Sequence, residues 1–206
     1  MTFPDRPFDS IAEYFDAYAD QLARAARSVP RDALDAAQAL LADAVAGDRC
    51  IYACGNGGSA AISNHLVCDH ARGVSYDTGL RPRVHSLSAT VEILTAIAND
   101  VAYAEVFAEQ LKLFARPGDV LITISSSGDS ENVVRAVQWA KDNGVKTIAM
   151  TGFAGGRTAA LADVNIHVAA DNYGVVEDLH QSIMHALAQF IRMQRMPAGL
   201  VASRKF

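Results

Sequence analysis

From residue 50 onward the chain alternates short apolar runs of β character with stretches of helical periodicity. No other feature constrains the fold as much. The runs are Cys50–Cys54, Val84–Leu87, Val120–Ser125, Lys146–Thr151 and Val164–Val168, and helical patterns fall near 59–70, 90–114, 130–143, 157–162 and 176–194. Runs apolar on both faces and separated by helices read as parallel strands covered on two sides. The expectation is an α/β domain, a doubly wound five-stranded parallel sheet flanked by helices. Ligands of such sheets bind beyond the carboxyl ends of the strands, so chemistry is sought there.

Ahead of the alternation lie two amphipathic helices. Asp9 and Ser10 open the first, with Ile11, Tyr14, Phe15, Tyr18 and Leu22 at three-and-four spacing, and Pro30 ends it. The second runs over 31–46 with Leu34, Ala37, Leu40, Leu41 and Val45 on one face, and Gly47 stands where a C-cap glycine belongs. There is no repeat, low-complexity tract or linker. Residues 1–206 are therefore read as one domain, with 1–47 a helical segment packing in the domain or in an oligomer and 48–206 the α/β core.

Composition narrows the function classes. A chain of 206 residues with half its side chains hydrophobic needs no disulfide or metal staple to hold a core. Eighteen Lys and Arg against 23 Asp and Glu leave a charge of −5, which offers no bulk basic field for nucleic acid or an anionic membrane, so an anionic ligand must be held locally. Three cysteines, Cys50, Cys54 and Cys68, suit a reducing compartment. No basic region followed by an apolar run opens the chain, and no stretch approaches the ~20 apolar residues that span a bilayer. The expectation is a cytoplasmic protein without membrane or nucleic-acid partners.

Two strand-to-helix turns carry the first chemical signal. Gly55-Asn56-Gly57-Gly58-Ser59-Ala60 follows the first strand, and Ser125-Ser126-Ser127-Gly128-Asp129-Ser130 follows the third. Glycines let the backbone approach an anion, helix N-terminal N–H groups point at it, and serine hydroxyls add donors without charge. Either loop alone reads equally well as a tight turn. Together, at adjacent strand ends, they read as a cradle for one phosphate. Gly55-x-Gly57-x-x-Ala60 also fits a dinucleotide-binding turn, but the second strand ends Ser86-Leu87-Ser88 without the acid that would hold a ribose.

A second signal lies on two helices. His65 and Asp69 are four apart and share a face, while Glu177, His180 and His185 recur on the last long helix, Glu177 and His185 differing by roughly 80° around its axis. Two imidazoles and two carboxylates can bind a borderline-hard divalent ion or serve as acid and base without one. His70, His85 and His167 read as hydrogen-bonded or surface residues, Cys68 as packed, and the Leu, Ile and Met residues of 179–193 as core.

These residues resemble the sugar isomerase (SIS) family and, within it, the sedoheptulose 7-phosphate isomerases, also called phosphoheptose isomerases. The resemblance covers nearly the whole chain: the N-terminal helices, Cys-Gly-Asn-Gly-Gly-Ser at 54–59, His65, Leu94-Thr-Ala-Ile-Ala-Asn-Asp100, Pro117-Gly-Asp-Val-Leu, Ser125-x-Ser127-Gly-x-Ser130, Thr151-Gly152 with Gly155-Gly156, and a last helix with His180 and His185. It implies a SIS domain of flavodoxin-like three-layer form, assembled as a homotetramer with active sites near subunit boundaries. It implies that Ser59, Ser125, Ser126, Ser127 and Ser130 hold the phosphate, that Asn56, Gly57 and Gly58 shape the first loop, and that Asp100 belongs to the sugar pocket. A zinc ion is implied at His65, Asp69, Glu177 and His185, with Asp69 and His185 as the proton-transfer residues and Glu177 also near substrate. Asp69 stands where the family has Glu, and Glu177 where it has Gln.

The implied activity is aldose-ketose isomerisation of sedoheptulose 7-phosphate to D-glycero-D-manno-heptose 7-phosphate through an enediol, for heptose-containing surface glycans. Two other readings remain open at this level: an isomerase of a different phosphosugar, and a non-catalytic SIS-domain regulator that binds the replication initiator. The presence of both His65 and His185 favours the enzyme.

Overall fold

The structure is a computed structural model and describes residues 2–206. In chain order it contains the helices α1 (Ile11–Ser28) and α2 (Arg31–Ala46), then β1 (Cys50–Gly55), α3 (Gly58–Val67), β2 (Arg83–Ser86), α4 (Val91–Asp100), α5 (Ala108–Phe114), β3 (Val120–Ser125), α6 (Glu131–Asp142), β4 (Lys146–Thr151), α7 (Gly156–Leu161), β5 (Val164–His167), α8 (Tyr173–Arg195) and α9 (Ala198–Val201). All strands are parallel and the sheet order is β2-β1-β3-β4-β5. The chain leaves β1 for β2 on one side and then crosses back to the other side for β3. The carboxyl ends of β1 and β3 therefore flank the crevice where such sheets bind ligands.

Burial explains the strand pattern and its exceptions. Every residue of β1 and β3 is buried, as is all of β4 beyond Lys146. The edge strands β2 and β5 are only partly covered, because each has a neighbour on one side only. One face of the sheet packs against α1, α2, α3 and α8 through residues such as Leu41, Leu66, Ile122 and Met184. The opposite face is covered from α4, α5 and α6 through Phe107, Leu111, Leu121 and Val133.

The helices follow from local chemistry. Ser10 caps α1 by accepting from the Glu13 amide at 3.1 Å. Across the sheet, the periodic stretch 90–114 is divided into α4, a 3₁₀ turn at Tyr103–Glu105, and α5. Its periodicity outlives the breaks because Leu94, Ile97, Phe107 and Leu111 all face the same apolar cluster. α1 and α2 pack on α8 within the chain, tied by the Tyr18 hydroxyl donating to Asp178 at 2.6 Å and by a Gln38–Gln194 bond at 3.0 Å. On α8, Leu179, Ile183, Met184, Leu187 and Ile191 are buried as expected, whereas Met193 lies on the outer face and is exposed. Among the described residues no helix is long and apolar enough to cross a membrane.

Candidate active site

The first loop turns out of β1 at Gly55 and enters α3 through Gly57, whose φ of 55° is open to glycine and strained for other residues. The next residue, Gly58, leaves room for a neighbour: a Cβ there would stand 3.0 Å from the Glu177 carboxyl carbon. Behind it Ser59 is buried. The second loop leaves β3 at Ser125, whose Oγ accepts from the Gly128 amide at 3.1 Å, and enters α6 at Ser130. Ser126 is buried with its hydroxyl oxygen unpartnered.

Asn56, Ser59, Ser125, Ser126, Ser127 and Ser130 line one cleft of about 150 Å³, together with Ile124, Tyr173 and Glu177. Among the described residues no lysine or arginine lines it; Arg135 and Arg157 stand nearby in exposed ion pairs with Glu105, Asp129 and Glu131. An anion here would meet hydroxyls, backbone amides and the N-termini of α3 and α6.

Asn56 does not present its side chain to the cleft as a free donor. Its amide nitrogen donates to Asn132 Oδ1 at 2.9 Å, and its oxygen accepts from Asn132 Nδ2 at 2.9 Å and from the Tyr103 hydroxyl at 2.8 Å. The residue clamps the first loop to the first turn of α6. Asn132 and Tyr103 were not found from sequence, and nothing in their local pattern marks them; only the fold brings them to residue 56.

The second group of side chains lies further along α3 and α8. Beyond Val67 the helix widens into a π-helical turn, Cys68–Gly73, and Asp69 lies in it. Asp69 accepts a hydrogen bond from His185 Nδ1, and its other oxygen is 3.3 Å from His65 Nε2. The two imidazole rings meet edge to face with centroids 5.0 Å apart. One donor atom from each of His65, Asp69 and His185 lies within 4.8 Å of the others. Two nitrogens and a carboxylate oxygen in this arrangement fit zinc or a similar divalent ion and leave positions for substrate oxygens.

The structure does not bring every expected residue to that group. Glu177 precedes His185 by eight residues, about 12 Å along α8, and its carboxyl lies at the cleft beside Gly58. Burial first, and then the neighbouring Asp178, raise its pKa above the ordinary glutamate value. His180 points into the core: it is fully buried and its Nε2 donates to the Thr151 carbonyl at 3.2 Å. Asp100 is exposed at the end of α4, bonded to the neighbouring Asn99 amide and outside the cleft lining.

The expectation that Cys68 is packed is corrected: it is exposed, on the same outward stripe as Ala61, Asn64 and His65, while Cys50 and Cys54 are buried in β1. His70 is buried rather than at the surface, with the Met184 backbone as its polar neighbour, and burial, the larger effect, pushes its pKa down to about 4.

Comparison with known proteins gives consistent matches. The family model described as SIS domain matches residues 13–152. The chain is 41% identical over 143 residues to a phosphoheptose isomerase of Nitratidesulfovibrio vulgaris, covering 68% of this chain and 67% of that one. It is 39% identical over 163 residues to a phosphoheptose isomerase of Mycobacterium tuberculosis, covering 77% and 82%. The solved phosphoheptose isomerase of Neisseria gonorrhoeae superimposes with a TM-score of 0.79 at 33% identity over 88% of this chain and 98% of that one.

Proposed function

Because the chain belongs to the SIS-domain phosphoheptose isomerases, we propose that it interconverts sedoheptulose 7-phosphate and D-glycero-D-manno-heptose 7-phosphate through an enediol, supplying heptose for surface glycans. One observation carries the choice of a seven-carbon phosphate: relatives 39–41% identical over two thirds or more of this chain, and a solved structure that superimposes on 88% of it, are phosphoheptose isomerases.

At the anchoring end, Ser59, Ser125, Ser126, Ser127 and Ser130 hold the phosphate with hydroxyls and helix N-termini, so that the reacting carbons are held still. At the other end, His185 Nδ1 donates to Asp69. The Asp69 carboxylate, which keeps lone pairs free, takes the proton from the carbon next to the carbonyl and returns it to the neighbouring carbon, with the His185 imidazole beside it. Asp69 orients the ring of His185, and His65 closes the group from the solvent side. A zinc ion held by His65, Asp69 and His185, when bound, supplies Lewis-acid polarisation of the carbonyl oxygen. Glu177 is placed to contact sugar hydroxyls next to the phosphate.

The same reading includes a homotetramer in the cytoplasm, with 1–47 packing between copies and active sites near subunit boundaries. Exposed apolar side chains support it: Ile11 and Phe15 on α1, Val101 and Tyr103 after α4, and Leu113 and Phe114 on α5.

The test is proton NMR of sedoheptulose 7-phosphate in heavy water with the purified protein, with and without zinc. Deuterium entering the carbons beside the carbonyl, together with aldose signals, is the expected result; loss on chelation would place the metal in the reaction. Absence of exchange in both conditions would overturn the assignment in favour of another phosphosugar or a regulator.

A further inference from the structure

His185 has both ring nitrogens engaged. On one side stands Asp69; an ionised carboxylate only accepts, so Nδ1 carries the proton and a neutral ring then has its lone pair on Nε2. On the other side the amide nitrogen of Gln181 lies 2.9 Å from Nε2 and donates to it. Gln181 precedes His185 by one helical turn of α8, shares its face, and is half-buried like it.

We infer that Gln181 is a positioning residue for His185: Asp69 sets which ring nitrogen carries the hydrogen, while the side-chain amide of Gln181 holds the orientation of the imidazole from its far edge and serves the ring nitrogen that a bound metal ion leaves free. The inference rests on the reading of His185 as a metal and proton-transfer residue. It departs from the expectation that Glu177 is the partner of His185 on this helix, because Glu177 lies two turns away at the phosphate cleft.

The chemistry requires an amide. In the metal-free protein Nε2 needs a donor, which the –NH₂ group supplies. When one ring nitrogen binds a metal ion, the other carries a hydrogen and needs an acceptor, and such outer partners fix the ring and raise its basicity. A half-turn about the last bond of Gln181 presents Oε1 in place of the nitrogen, so one side chain satisfies the ring in both states. Leucine satisfies neither, and glutamate satisfies only the protonated nitrogen.

The test compares the full-length protein with Gln181→Leu and Gln181→Glu. Zinc affinity is read by competition with a chromophoric chelator, and the tautomer of His185 by ¹⁵N-resolved NMR of the zinc-free protein. Gln181→Leu should bind zinc about 10- to 100-fold more weakly and show a shifted Nε2 resonance of His185, while its melting temperature and its binding of inorganic phosphate stay as in the parent. Gln181→Glu should restore zinc binding to at least the parent level and show a hydrogen on Nε2 in the zinc-free state.

Unchanged zinc affinity and an unchanged Nε2 resonance of His185 in Gln181→Leu would overturn the inference. If that variant does not fold, an unaltered Nε2 signal in Gln181→Glu would overturn it. If the parent protein binds no zinc, the metal reading of the site fails by itself, and the zinc-free NMR of the two variants still decides the role of Gln181.

Discussion

The two ends of the proposed site are built from different materials. The anchoring end is made of backbone turns and short hydroxyl side chains at the carboxyl ends of β1 and β3, with Ser59, Ser125 and Ser126 all buried. The chemical end is made of imidazole and carboxylate side chains carried on helices, and the side chain of His65 is 49% exposed. Rigidity at the first comes from the sheet; at the second it comes from a few side-chain hydrogen bonds around Asp69 and His185. The anchoring end should therefore tolerate single side-chain losses in small steps, whereas the chemical end should fail in one.

The largest effect is expected at the chemical end. His185→Ala should lower turnover by at least about 1,000-fold, ~4 kcal/mol of barrier, while binding of inorganic phosphate remains near the parent value by calorimetry. Equal losses of turnover and phosphate binding would erase the division between the two ends.

Gly58→Ala tests the anchoring end where backbone geometry matters most. The added methyl would meet the Glu177 carboxyl, so that side chain must move into the cleft. Phosphosugar KM should rise about tenfold, ~1.4 kcal/mol, with kcat little changed, and Glu177→Ala in the same chain should restore it; additive losses in the double variant would refute the contact.

Ser126→Ala removes a buried hydroxyl that has no partner within the protein. Affinity for inorganic phosphate should fall by roughly fivefold, about 1 kcal/mol. The melting temperature of the ligand-free protein should hold or rise, since no internal hydrogen bond is lost. A fall in melting temperature without a change in affinity would make Ser126 a structural residue.

The smallest effect concerns pH. Burial and Asp178 raise the Glu177 pKa in the folded protein, so the folded state holds this proton more tightly than the unfolded chain does. The resulting stability is present below the ordinary glutamate pKa and is lost as pH rises through the raised value. Glu177→Gln should thus be slightly more stable than the parent at neutral pH, with the difference reversing or vanishing in acid, as thermal melts across pH 3.5–7.5 would show. Phosphate affinity should rise a few-fold at neutral pH, because a like charge leaves the cleft. A stability difference independent of pH would contradict this account.

How much of the site could be read in advance depended on how local its cause was. The serine loops were legible because turns and helix starts demand Gly and Ser within six consecutive residues. The pairing of His65 with Asp69 was legible from four-residue helical spacing. The approach of His185 to Asp69, 116 residues away, has no local signature, and neither has the Asn132–Asn56–Tyr103 clamp. Glu177 was placed by its match to a family position, and its own surroundings at the cleft came only with the fold. The π turn that carries Asp69 has no pattern of its own in Cys68–Gly73, since six residues of mixed polarity fit an ordinary helix equally well.

Sequence alone determined the sheet, the helices that cover it, the end of the sheet that carries the site and the residue types able to hold an anion. These follow from periodicity, turn chemistry and burial, which act over a few residues at a time. Tertiary structure decided which of those residues meet: Asp69 with His185, Gln181 against the far nitrogen of that ring, Glu177 at the cleft, and His180 in the core. A hydrogen bond forms or fails within a few tenths of an ångström, and such distances between remote residues are set only when strands and helices have packed against one another.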